Sequence, residues 1–431
     1  MENIRFRQAF AALVSGFEQS LLDDMPTTPY RDFQLWAFQS HSRDTWWQIL
    51  GLPQFAKLTV GLFAGMLSDD QWEQLLPFTA IMNRYLVYEA MTDNFANFLQ
   101  TDSKNAPPTR PFQVHAVSRL NDTMIARLEG DATPTTELLG TAKSAIGKLS
   151  CFVSSITQKE QTAFAESYIR QQRDVEMRDL EFGGWGLLVA NVETCLQVGG
   201  AIDGTKLSNF LREGLSWRYQ AVNQMLYSLD MPLPERIDVG AYAVLVIPFL
   251  TYYISVLHEL ILPTARLNLL TNEARLEKAL YKAALLVRLA NDVGTDLLIS
   301  DEHHPALLDM LARVPQATIN EALLNLSADV PYLTRFQKDI GFGEYNVCLY
   351  DVGASANSSR SRTRFEHNLT YLGHIYRANR EQLLGELREI SDLMGSDMTS
   401  KLIWRFVEFH EKLYSAPFKS QTGEYATTPN A

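Results

Sequence analysis

The chain has 431 residues, 46% of them hydrophobic and 11% aromatic, and a formal net charge of −12. That acidic balance excludes a general nucleic-acid surface, which needs a basic face. The three cysteines, Cys151, Cys195 and Cys348, are odd in number and far apart, show no metal-type pairing, and fit a reduced, cytoplasmic setting.

The first twenty residues, MENIRFRQAFAALVSGFEQS, carry charges throughout and read as an amphipathic helix rather than a secretion signal. Apolar residues then recur with helical period at about 46–66, 70–100, 114–129, 134–156, 158–198, 205–228, 239–262, 272–299, 305–313, 317–327, 365–393 and 397–415. Strand-like alternation and fixed-period repeats are absent, so the predicted class is all-α. Two stretches read as loops: 102–112, with three prolines, and 341–364, rich in Gly, Ser and Arg. The expected organisation is one helical domain over 1–340, a loop and candidate lid at 341–364, further helices of the same domain at 365–417, and a frayed tail at 418–431. Residues 239–257 hold no charge over 19 positions, just enough to cross a bilayer. Pro248, three tyrosines and the acidic flanks Glu235, Asp238 and Glu259 argue instead for a buried central helix kinked at Pro248, with no stable membrane span.

Two polar stripes interrupt this apolar pattern. In LPFTAIMNRYLVYEAMTDNFANFLQ, Glu89, Asp93 and Asn97 stand at i, i+4 and i+8 and would share one helix face. In KALYKAALLVRLANDVGTDLLI, Asn291 and Thr295 stand at i and i+4, with Asp292 beside them. A buried polar group without a partner costs roughly 1–3 kcal/mol, so such groups need a reason. Carboxylate, amide and hydroxyl oxygens at this spacing are hard ligands of the sort Mg²⁺ accepts. The alternatives are a solvated face at the first stripe and a capping kink at the second. Lying side by side, the two helices would form a metal-lined mouth to an apolar cavity.

The segment RLANDVGT, 288–295, resembles the second metal motif of class I terpene synthases, N/D-D-x-x-S/T-x-x-x-E, whose Asn, Ser/Thr and Glu bind one Mg²⁺. The likeness holds at Asn291, Asp292 and Thr295 and departs at Ile299, where the family has Glu. TDNFAN, 92–97, stands where the family's DDxxD would fall; Asp93 is kept, and Asn94 and Asn97 replace aspartates. No neighbouring acid restores the missing ligand. Glu302 lies about 10 Å along the axis beyond Thr295, and Asp296 points roughly 140° away from Asn291. The stretch from Ser216 to Glu259 is similar to the family's Trp-bearing helix, proline turn and kinked helix, so the family-like part spans about 45–305, with an insertion in 102–150. The family's C-terminal Arg-Tyr pair has only Trp404-Arg405-Phe406 and Tyr414 as nearest candidates.

The resemblance implies a class I terpenoid synthase-like helical bundle around an apolar cavity. It implies Mg²⁺-dependent ionisation and cyclisation of a C15 or C20 prenyl diphosphate, with release of pyrophosphate, which is a lyase reaction. Asp93, Asn291 and Thr295 would be catalytic, with Glu89 and Asn97 further metal ligands. Arg288, Arg236, Arg173 and Arg377 would bind the diphosphate. Tyr85, Tyr88, Trp185, Trp217, Tyr242, Phe249 and Tyr252 would line the pocket and stabilise a carbocation. Apart from the resemblance, Arg360, Arg362 and Arg364 read either as a mobile solvated loop or, three guanidiniums with no acid between them, as a lid drawn over the diphosphate. The partner would be the small prenyl diphosphate, with neither nucleic acid nor a membrane involved and a homodimer left open. Two other classes remain: a non-catalytic helical isoprenoid-binding or scaffold protein, and a helical di-iron oxidase, which would need Glu-x-x-His pairs that the sequence lacks.

Overall fold

Helix-start signals written in the sequence are used as such. Ser68 caps the helix Asp69–Asp93 in a reciprocal capping box with Gln71, and Thr318 does the same with Glu321 for Ile319–Ser327. The structure, a computed structural model, describes residues 2–97, 99, 108–149, 158–227, 231–314 and 317–416. Residues 102–107 of the first predicted loop, part of the expected insertion, Cys151 and the tail 418–431 lie outside the described residues. The described residues are all-α: they form helices and turns, with a single isolated bridge between Thr318 and Ala356.

By packing, the chain groups into two compact units, Met1–Leu226 with Thr251–Pro263, and Tyr227–Leu250 with Thr264–Glu424. In the first unit the helix Asp69–Asp93 is the spine. It packs against Glu2–Asp23 on one side and Trp185–Ala201 on another, and Arg110–Leu128 covers the latter. Phe17, Trp72, Tyr85, Tyr88 and Leu188 are buried there. Each such side chain contributes about 1.5–3 kcal/mol by leaving water. In the second unit the spine is Arg275–Val293, packed against Ser359–Met394, Leu233–Ala243, Met398–Ser415 and Thr334–Gly341.

The expected helices 46–66, 134–156 and 272–299 are each divided, and Pro29–Gln39 and Thr334–Gly341 are helices that the periodicity did not give; three further differences bear on the site. The single helix expected over 158–198 is divided into Gln158–Gln171, Met177–Gly183 and Trp185–Ala201. Gly183 explains part of this: a Cβ there would stand 2.9 Å from the Tyr30 backbone nitrogen, so only glycine permits the close packing. The kink assigned to Pro248 falls earlier. The helix Leu233–Ala243 stops at Val244, whose backbone is extended, and a new helix starts at Val246. A proline ring clashes with the carbonyl four residues before it, and that residue is Val244. Leu233–Ile261 is the one stretch among the described residues long and apolar enough to cross a membrane, and 72% of its most apolar window is buried inside the protein. The third difference is the candidate lid. The loop ends at Ser358, whose hydroxyl accepts from the Ser361 N–H, and Arg360, Arg362 and Arg364 lie in the opening turns of the helix Ser359–Met394. Arg362 donates to the Asn357 carbonyl at 3.0 Å. A serine N-cap outcompetes the loop character suggested by the Ser/Arg composition.

Candidate functional site

The first stripe lies at the end of the helix Asp69–Asp93, in the first unit. The helix stops at Asp93, a short 3₁₀ turn follows over Asn94–Ala96, and Asn97 is extended. Asn97 therefore leaves the face shared by Glu89 and Asp93; its backbone carbonyl accepts from Gln113 at 2.8 Å in the interior. Glu89 is 6% exposed and fully engaged. Its Oε2 pairs with Arg218 at 2.8 Å, and its Oε1 accepts from Tyr219 at 2.5 Å and Asn191 at 3.0 Å. Asn191 also donates to Thr92, and the Tyr219 and Tyr85 hydroxyls meet at 2.6 Å. Burial disfavours the charge on Arg218, but Glu89 outweighs it and holds the guanidinium's pKa above its ordinary value. Burial, reinforced by Glu89, pushes the Tyr85, Tyr219 and Cys195 groups well above their ordinary pKa values, so all three stay protonated.

Asp93, by contrast, is exposed. It lines a cleft together with Glu89, Arg218, Asn121 and Tyr219 and with the apolar side chains of Phe95, Ala96, Val117, Leu120, Leu188 and Val222. The cleft encloses about 40 Å³. At roughly 10–15 Å³ per water, that is space for a few water-sized groups.

The second stripe lies in the second unit and is arranged differently. Gly294, at φ 93° and ψ 141°, ends the helix Arg275–Val293, and Thr295 begins a new short helix. Asn291 and Thr295 are thus not one turn apart on one face. The Arg335 guanidinium donates to the Asn291 carbonyl at 2.6 Å and also to its amide oxygen. Thr295 donates its hydroxyl proton to the Glu411 carbonyl at 2.8 Å. Asp292, wholly buried, accepts from Arg288 at 2.9 Å and from the Val347 N–H at 3.1 Å, and its carbonyl accepts from Asn346. Asn346 bridges on to Asp339 at 2.7 Å. Burial pushes Asp292 above the usual carboxylate range against the pull of Arg288. Asp339 is pushed up to about 7, by burial first, with Glu344 and Asp292 adding to it and Lys338 opposing.

The proposed diphosphate arginines separate into three situations. Arg236 and Arg288 meet around Tyr345: the first lies over its ring at 4.5 Å, the second reaches its carbonyl at 3.4 Å. Arg377 binds Asp301 at 3.0 Å and the Leu298 carbonyl. Arg173 is exposed. The proposed wall aromatics are largely core. Tyr88 stacks on Phe17 and bonds Ser20, Tyr252 donates to the Phe78 carbonyl, and Phe249 packs on Phe406. Trp185 lies under Lys143, Trp217 against Phe210, and Tyr242 against Tyr281. Tyr85 comes near the cleft only through its bond to Tyr219.

Among the described residues no three His, Cys, Asp or Glu side chains gather as a metal cluster. Mg²⁺ asks for oxygen ligands at about 2.0–2.1 Å in near-octahedral array. Asn291 and Thr295 do not fit that demand: a guanidinium already uses one oxygen, and the other points its proton at a carbonyl. Asp93 fits it as one carboxylate at a cleft with room for water-sized groups, in the manner of Mg²⁺ sites completed by water and substrate phosphates.

The sequence reading missed Arg218, Asn191 and Tyr219 in the first unit and Arg335, Asp339 and Asn346 in the second. Arg218 was open to detection, as a cation beside Trp217 inside an otherwise mostly uncharged helical stretch, SWRYQAVNQMLY. Arg335 carries no such signal; it stands 44 residues from Asn291. No protein-family model matches this chain, and no curated protein or solved structure matches it either.

Proposed function

We propose that the chain is a Mg²⁺-dependent enzyme that ionises a linear prenyl diphosphate of C15 or C20 length and closes it to a terpene, releasing pyrophosphate. The supporting observation is the cleft of the first unit. Its lining combines carboxylate, amide, hydroxyl and guanidinium groups with apolar side chains, the chemistry that suits an amphiphile with an anionic head. The motif Asn291-Asp292-Val293-Gly294-Thr295 supports the class by resemblance.

Asp93 would hold the Mg²⁺ in this reading, and the ion would supply positive charge to the diphosphate head. Arg218, fixed by Glu89, which Asn191 holds in turn, keeps a permanent cation at the cleft without a proton to lose. Tyr219 donates to Glu89 and is held protonated, so it offers the cleft no base that would quench a carbocation early. Phe95, Val117, Leu120, Leu188 and Val222 exclude water from the tail. A prenyl chain needs a pocket on the order of 300 Å³, so these side chains would have to part for the substrate to enter. The test is incubation with C10 to C25 prenyl diphosphates and Mg²⁺, with products read by mass spectrometry and pyrophosphate by a coupled assay. No pyrophosphate release at any chain length would end this reading.

A second reading has its own support: a non-catalytic helical isoprenoid-binding protein. Asn291 and Thr295 are committed to protein partners, and Ile299, where the family has Glu, is 46% exposed. Saturable binding of a prenyl diphosphate without pyrophosphate release distinguishes it from the enzyme.

A further inference from the structure

The side-chain oxygens of Asn291 and Asp292 accept from donors of their own unit, Thr295 gives its hydroxyl proton to a carbonyl there, and the partner at Asn291 is a cation. We infer that Arg335 is the resident cation of the Asn291–Thr295 motif, so that this motif takes no divalent metal. The inference concerns the second motif of the enzyme proposed above and rests on that reading for the motif's assignment.

The argument starts from the helix end. The last carbonyls of Arg275–Val293 lack intrahelical donors and carry the negative end of the helix dipole. A cation is favoured there, and Arg335 supplies one. It is 3% exposed, donates to the Asn291 carbonyl at 2.6 Å and to the same residue's amide oxygen, and lies over the Tyr414 ring at 4.7 Å. The planar fork of a guanidinium suits this pair of oxygens as an ammonium would not.

The backbone turns sharply here. Gly294 adopts φ 93°, a conformation side-chain-bearing residues rarely take; a Cβ there would meet Arg335 Cγ at an ordinary 3.6 Å, so the backbone angle rather than space calls for glycine. That turn also moves Thr295 off the Asn291 face, to the Glu411 carbonyl. The one carboxylate of the motif, Asp292, is held by Arg288 and the Val347 N–H. A Mg²⁺ at Asn291 would therefore share both oxygens of that residue with a guanidinium, meet like charge, and find the adjacent carboxylate, Asp292, already held by other donors.

The experiment counts Mn²⁺ bound to the full chain by electron paramagnetic resonance, with inorganic pyrophosphate present. It compares wild type with Asn291→Ala, Thr295→Val and Asp93→Ala. The expected result is that Asn291→Ala and Thr295→Val bind as many Mn²⁺ as wild type, with unchanged affinity. Loss of one Mn²⁺, or a weakening of about tenfold or more as expected on deleting a ligand or its support, overturns the inference. Thr295→Val keeps the test valid should Asn291→Ala fail to fold. The Asp93→Ala arm separates the two claims: unchanged Mn²⁺ binding there counts against the proposed enzyme and leaves the Arg335 inference standing. A thermal double-mutant cycle adds a readout of position. Arg335→Gln and Asn291→Ala should lower Tm by less together than the sum of their separate effects, and strict additivity would show that Arg335 does not act through Asn291.

Discussion

The polar ends of the two spine helices use the same residue types to opposite effect. At the end of Asp69–Asp93, one carboxylate, Glu89, is consumed by Arg218, Tyr219 and Asn191, while the next, Asp93, stays exposed at a cleft. At the end of Arg275–Val293, Asn291, Asp292 and Thr295 are all bonded to protein groups. The difference teaches that polar residues on an apolar helix mark either a binding surface or an internal joint. What decides is whether the rest of the unit brings partners to them. A residue that completes a network has little left for a ligand, whereas an exposed one at the edge of a network still faces the cleft.

The comparison can be broken most forcefully at Glu89. Glu89→Ala leaves Arg218 buried and uncompensated, and removing one partner of such a pair costs about 3–5 kcal/mol. The expected outcome is a large fall in the urea midpoint of the purified chain; a midpoint near wild type would mean that Glu89 is not the anchor of its unit.

Asp93→Ala should behave in the reverse way. Exposed, and acting on Arg218 only from the edge of that network, it should change stability far less than Glu89 does, by about 1 kcal/mol or less. Pyrophosphate release should fall roughly 10²–10³-fold, the size of effect seen when one charge-stabilising group is lost. Retained turnover in a folded variant would remove the first unit from the proposed chemistry.

Asp339 sharpens the internal character of the second network. Its folded pKa, about 7, lies above that of an unfolded aspartate. Its contribution to stability is therefore fully present below about pH 4, where an unfolded aspartate is also protonated, and is lost as pH rises toward 7. Above that the contribution is flat. Asp339→Asn mimics the protonated acid, so the variant should gain on wild type between those limits. Urea midpoints of the two proteins at pH 5 and pH 8 test this, and parallel behaviour would show that Lys338 and Arg335 keep Asp339 ionised.

The smallest expected effect is at Asp301, which pairs with Arg377 at the surface of the second unit. Asp301→Ala should cost about 0–1 kcal/mol, as exposed ion pairs do. A larger loss would mark Arg377 as part of a joint rather than a solvated pair.

Local signals were legible in the sequence and were obeyed. The all-α class follows from apolar residues at helical period, and the helix starts at Asp69 and Ile319 follow from capping boxes built of residues three apart. The expected break at Pro248 was right in kind and displaced by one turn, because proline acts on the carbonyl behind it. Periodicity also showed which helices carry unusual polar residues. It could not show their partners. Arg335 reaches Asn291 across 44 residues, Glu411 receives Thr295 across 116, and Arg218 reaches Glu89 from a different helix. Spacing of i and i+4 placed Asn291 and Thr295 on one face only while the helix was assumed to continue, and Gly294 ends it. Covalent neighbourhood constrains φ, ψ and the hydrophobic period, so the sequence by itself determined where helices form and where polarity interrupts them. Whether an interrupting oxygen meets a cleft or a guanidinium depends on residues distant along the chain, and only tertiary packing decided that.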